Sequence, residues 1–182
     1  MQEQKWKEIT RELEAGLSDP LHPFRFGTLA TLGLGNLPRL RTVRIREFDP
    51  EKMKLTFYTD SRSKKIMHIK ENNKVSMLFY HPAKLLQLRL EGLAIRESDE
   101  TVLQRYWEEV EGNSKLDYLT TTAPGTEIVD PDKVEYLNDD PYFSVIYILP
   151  FKIEMLQLKR PRHLRIRFSK REGTWKSDYL VP

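Results

Sequence analysis

The chain has 182 residues, 39% of them hydrophobic, with 30 lysines and arginines against 27 acidic residues, a formal net charge of +3. That length suits a single domain with a sizeable core spanning 1–182 and is short for two; the composition excludes a disordered tail, and the near-balanced charge argues against a polyanion as general partner. The absence of cysteine removes disulfides, thiolate metal sites and cysteine nucleophiles.

The amino-terminal stretch carries no apolar signal-like segment, and nothing downstream approaches the ~18 apolar residues of a membrane span. A soluble, cytoplasmic protein without membrane contact is expected. His22, His68, His81 and His163 show no pair at helical or finger spacing, so no metal site is expected.

In chain order, Trp6, Ile9, Leu13 and Leu17 recur at helical spacing over residues 2–16, which predicts an amphipathic docking helix closing at Gly16. "FGTLATLGL" and "RLRTVRIREF", separated by Gly35-Asn36, predict a hairpin, and "EKMKLTFYT" a third strand in which Met53, Leu55 and Phe57 alternate. "SKKIMHIKENN" predicts a helix of about three turns with Ser63 as N-cap. "KVSMLFY" and "LLQLRLEG" predict two more half-buried strands, and "SDETVLQRYWEEVEG" a helix with one apolar face. Residues 120–141, rich in threonine, proline and acid, read as loop. The last third returns to strands, ending in a hairpin around "KREG". At least six short strands in hairpins, not alternating regularly with helices, point to a mainly β fold: an antiparallel barrel with accessory helices.

Chemistry concentrates in "FYTDSRSKK". Taken alone, the stretch reads first as a capped helix whose lysines reach into water and second as an anion cradle, with Ser63, Lys64 and Lys65 at the positive end of a helix. Arg41 upstream strengthens the second reading, because arginine offers a fixed fork to phosphate oxygens. On that strand Arg41, Val43 and Ile45 share one face and Thr42, Arg44 and Arg46 the other, so Arg41 and Arg46 serve one site only if a bulge intervenes. Gln87 stands between Leu86 and Leu88, either solvent-facing or able to pair with the edge of a flat heterocycle. From Lys159 to Lys176 eight basic residues face the single acid Glu172, but Trp175 and the tyrosines are not interleaved with them as a stacking platform needs, so nucleic acid is not the expected partner.

Five ordered motifs, "RTVRIREF", "FYTDSRSKK", "ENNKVSMLFY", "LQLRLEG" and "RHLRIRFSKREGTWKSDYLVP", together resemble the pyridoxamine 5′-phosphate oxidase-like flavoproteins, from about Thr28 to Pro182. The resemblance implies an FMN-binding split β-barrel and a homodimer with FMN at its interface. It implies that Arg41, Ser63, Lys64 and Lys65 approach the FMN phosphate, that Thr42 is also cofactor-binding, that Tyr58 and Thr59 lie along the cofactor, and that Gln87 and Arg165 approach the isoalloxazine ring. Arg46 and Tyr106 match part of the family's substrate site, and His163 matches its histidine, the candidate for substrate contact or proton transfer. Other substrate positions depart: Pro161 stands where an arginine is expected, Val110 replaces another, and Ala123-Pro124 replaces a flavin-contacting Gln-Ser pair. The resemblance thus implies an FMN-dependent oxidoreductase acting on a small molecule left unassigned. An active pyridoxamine phosphate oxidase and a non-enzymatic cofactor- or nucleic-acid-binding module are the alternatives.

Overall fold

The computed structural model describes residues 2–139 and 141–182; Met1 and Asp140 lie outside the described residues, Asp140 within the expected loop. Among the described residues three α-helices, α1 (Gln2–Ser18), α2 (Lys64–Glu71) and α3 (Glu100–Glu108), accompany eight strands. These are β1 (Phe26–Leu32), β2 (Pro38–Asp49), β3 (Lys54–Asp60), β4 (Lys74–His81), β5 (Leu86–Arg96), β6 (Phe143–Gln157), β7 (Leu164–Arg171) and β8 (Thr174–Leu180). All pairings are antiparallel in the order β3-β2-β1-β4-β5-β6-β7-β8, and β3 also pairs with β6. That extra ladder closes six strands into a barrel, leaving β7 and β8 as a flap beside β6. Among the described residues, no helix is long and apolar enough to cross a membrane.

Period-2 alternation fixes which side chains enter the barrel. Leu29, Val43, Ile45, Leu55, Phe57, Met77, Phe79, Leu88, Leu90, Ile153 and Met155 are buried together in the main core. The register of β2 against β3 shifts between Ile45 and Glu47. The bulge keeps Ile45 and Phe48 toward the core although they are three residues apart.

The amino-terminal helix runs past Gly16, the expected stop, to Ser18. Gly16 is there for space: a Cβ on it would lie 2.7 Å from the Phe24 carbonyl carbon and oxygen. Trp6 packs edge-on to Phe168 and against Trp175, at ring-centroid distances of 5.0 and 5.1 Å, tying α1 to the flap. Outside the barrel, α3 covers β3 and β6, and Tyr106, Val110, Tyr118, Phe143 and Val145 form a second core. The N-cap of α3 is Asp99, accepting from the N–H groups of Thr101 and Val102.

The 15-residue β6 contains Pro150, which a continuous ladder would exclude for want of an N–H. It is accommodated by a bulge, where Gly92 pairs with Pro150 while Glu91 pairs with Lys152. A Cβ at Gly92 would meet the Leu149 carbonyl oxygen at 2.5 Å, so Gly92→Ala must push two backbones apart. We expect it to destabilise the barrel by about 1–3 kcal/mol, as overpacking does, read as a lower urea midpoint with an unchanged slope.

Candidate anion cradle at the barrel mouth

Inward-facing positions near the ends of β1, β2 and β3 place Thr31, Arg41 and Thr59 at one mouth of the barrel, and α2 closes that mouth with Ser63, Lys65 and His68. The Lys65 ammonium donates to Thr59 Oγ1 at 2.8 Å and to Ser63 Oγ at 3.1 Å, and the two hydroxyls lie 3.2 Å apart. Arg41 Nη1 donates to Thr31 Oγ1 at 2.6 Å and to the Leu29 carbonyl at 3.3 Å. Thr31 Oγ1 in turn lies 3.0 Å from His68 Nδ1.

Ser63 is the N-cap residue of α2, as expected, yet its hydroxyl does not cap; it bonds Lys65 and Thr59 instead. The first-turn N–H groups of the helix are therefore left without a side-chain cap. The nearby carboxylate, Asp60, is taken by Arg62, whose Nη2 lies 2.7 Å from Oδ2. Among the described residues no carboxylate forms an ion pair with Arg41 or Lys65. Burial pulls the Lys65 pKa down, and the Arg41 charge pulls it further; burial likewise works against the charge of Arg41. Two desolvated cations, three hydroxyls and an uncapped helix terminus, with Asp60 already neutralised, suit an anion with several acceptor oxygens.

The other expected site residues fall elsewhere in the fold. Lys64 is exposed on α2, and Thr42 is exposed on the outer face of β2. The Tyr58 side chain points away from Thr59 into the second core, 5.6 Å from the Tyr106 ring and 5.0 Å from that of Phe143. Arg46, on the bulge, does not join Arg41: its guanidinium lies 5.3 Å from the Tyr58 ring centroid. Tyr106 donates its hydroxyl to Glu47 Oε2 at 2.8 Å. His163 is exposed before β7 and accepts the Lys159 N–H at Nδ1.

Gln87 and Arg165 share the outer face of the sheet with Leu156 between them. Arg165 donates through Nε and Nη2 to Glu154 Oε1, and Arg89 donates to Oε2, so a buried carboxylate holds two guanidinium groups. No hydrogen bond among the described residues engages the Gln87 amide. Along the basic strip, Arg167 pairs with Asp178 at 3.0 Å and Trp175 lies against Trp6.

Sequence reasoning missed two residues of the mouth, Thr31 and His68, which lack charge or a motif to mark them. It also missed Glu12, His22 and His81, whose potential ligand atoms lie within 4.8 Å of one another. Both histidines accept backbone N–H groups at Nδ1, from Phe24 and Lys84, which places their neutral protons on Nε2. His22 Nε2 then donates to Glu12, which also takes the Lys84 ammonium. The cluster anchors α1.

The family model described as pyridoxamine 5′-phosphate oxidase, FMN-binding domain, matches residues 3–96. The chain belongs to that family. The matched region carries the whole mouth cluster and Gln87 and ends before α3. The pyridoxine/pyridoxamine 5′-phosphate oxidase of Nostoc punctiforme is 26% identical over 171 residues, covering 85% of this chain and 78% of that protein. Its namesake from Pelagibacter ubique is 29% identical over 168 residues, covering 85% and 80%. In structure, a pyridoxamine 5′-phosphate oxidase-related, FMN binding protein from Nostoc punctiforme superposes with a TM-score of 0.80 at 23% identity, over 97% of this chain and 96% of that one. The split-barrel fold and FMN as the family's cofactor follow, and the acid-free cation pair at the mouth fits the phosphate of that cofactor.

His68 carries a pH signature. Burial, and then the Arg41 charge, lowers its pKa, so below the ordinary value of about 6.5 the unfolded chain takes up a proton that the folded state resists. The sign follows: stability falls as pH drops through that value. We expect urea midpoints to decline from pH 7.5 to 5, and less steeply for His68→Asn.

Proposed function

We propose that the chain is an FMN-dependent oxidoreductase working as a homodimer, with the FMN phosphate held at the barrel mouth by Arg41, Ser63 and Lys65. The observation that carries this reading is the pairing of Arg41 and Lys65 without an acid partner, inside the region that matches the family. When bound, FMN supplies two-electron chemistry at its isoalloxazine ring. The chain supplies position and polarity: the Gln87 amide is available to donate and accept at a ring edge, and the Glu154-held Arg165 guanidinium favours negative charge nearby.

The dimer is supported by where these groups lie. Arg41 faces inward at the mouth, whereas Gln87 and Arg165 face outward, and a second copy laid on the outer face supplies a route by which one cofactor meets both sets. That face exposes Phe26, Leu40, Leu78 and Tyr80, and on it the Nε atoms of Arg89 and Arg167 are buried without an acceptor, features that suit a protein interface. Tyr80→Glu should shift the protein to monomer in sedimentation and reduce FMN retention.

For the substrate, Glu47 decides the reading. Its carboxylate occupies the Tyr106 hydroxyl, and Val110 adds no charge, so a phosphate brought to Tyr106 would face an anion. We read the substrate as a small molecule other than pyridoxamine 5′-phosphate, with Arg46, Tyr106 and exposed His163 as its candidate contacts. The names of the relatives favour the other reading, and an assay for oxygen-dependent pyridoxal 5′-phosphate formation separates the two: none is expected.

The visible spectrum of freshly purified protein tests the cofactor directly. Flavin bands are expected, and Arg41→Ala and Lys65→Ala should each weaken FMN by about tenfold to a hundredfold, the worth of one charge-assisted hydrogen bond. A protein that stays colourless after incubation with FMN refutes the proposal.

A further inference from the structure

Arg41 is useful at the mouth only if its guanidinium is turned the right way, and what turns it is Thr31. The Thr31 side chain is buried, with 3% of the residue exposed, and its Oγ1 lies between Arg41 Nη1 at 2.6 Å and His68 Nδ1 at 3.0 Å. Guanidinium only donates, so Thr31 Oγ1 accepts from Arg41. The hydroxyl's one proton then goes to His68 Nδ1, the remaining acceptor it touches. His68 therefore carries its proton on Nε2 and is neutral, in keeping with its burial. This one assignment gives the Thr31 hydroxyl both a donor and an acceptor.

A Cβ on Gly33 would lie 3.3 Å from both His68 Cε1 and Nε2, so the turn after β1 leaves room for the imidazole by carrying glycine there. With Nη1 committed to Thr31 and Leu29, the Nε and Nη2 edge of Arg41 has no partner among the described residues. That edge is the one with fork geometry for two oxygens of a phosphate.

We propose that His68 and Thr31 are positioning residues for the phosphate cradle, a hydrogen-bond relay that fixes Arg41 through Nη1 and presents its Nε/Nη2 edge to the ligand. The inference rests on the FMN reading and goes beyond it, since it gives Thr31 and His68 the task of holding Arg41, which that reading leaves unassigned. Immobilising a long side chain before binding removes an ordering cost that the ligand would otherwise meet.

FMN and riboflavin, which share the ring and differ by the phosphate, provide the test, with dissociation constants read from flavin fluorescence quenching. Thr31→Val keeps the shape and removes the hydroxyl; FMN should bind about tenfold more weakly while riboflavin is unchanged, so the preference for FMN shrinks by that factor. Thr31→Ser should restore the preference. His68→Leu should lower it independently, and His68→Asn, which keeps an acceptor near the Nδ1 position, should retain it. A wild-type protein that prefers FMN, with Thr31→Val and His68→Leu variants that prefer it equally, overturns the relay and leaves the cofactor reading standing. Equal loss of both flavins in both variants also overturns it, since that is a general structural defect. A wild-type protein that binds neither flavin overturns both.

Discussion

The ladder between β3 and β6 is the contact on which the rest depends. Without it the strands would form an open sheet with β3 at its edge, a row of unpaired N–H and C=O groups. With it, six strands close, and inward-facing positions near the ends of β1, β2 and β3 converge on one mouth. Thr31, Arg41 and Thr59 meet there because barrel closure and the period of the strand leave them no other side to face. Helix α2 follows β3 directly and lies across this mouth, so its first turn brings Ser63 and Lys65 to the three strand residues.

Electrostatics then sets the character of the mouth. A folded chain often pairs its partly buried cations, and this one does so at several places: Arg62 with Asp60, Arg165 and Arg89 with Glu154, Lys152 with Glu91. At the mouth the cations meet hydroxyls and each other. Holding two like charges in a desolvated place lowers the stability of the empty protein, and an anion relieves that cost. A site shaped in this way trades stability for affinity.

Much of the fold was legible in the sequence, since alternation in "KLTFYT", "KVSMLFY" and "LQLRLEG" reports burial directly. The misreadings have physical causes. Gly16 looked like a helix stop because glycine ends many helices, but here it admits the Phe24 backbone. Ser63 looked like a capping side chain because serine caps helices locally, but Lys65 and Thr59 compete for its hydroxyl. Tyr58 and Thr59 are adjacent in sequence and face opposite sides of β3, so a motif that holds both conceals their separation.

The sequence by itself determined the strands, the barrel class, the charged stretch after Thr59 and, through ordered motifs, the resemblance to FMN-binding proteins, because these depend on local pattern. Only the tertiary structure decided that Arg41 joins Lys65 while Arg46 goes to Tyr58. It also decided that Glu47 takes the Tyr106 hydroxyl and that Thr31 and His68 stand behind Arg41. Those facts are distances between residues far apart in the chain, fixed by register, bulge and closure, and no local pattern encodes them.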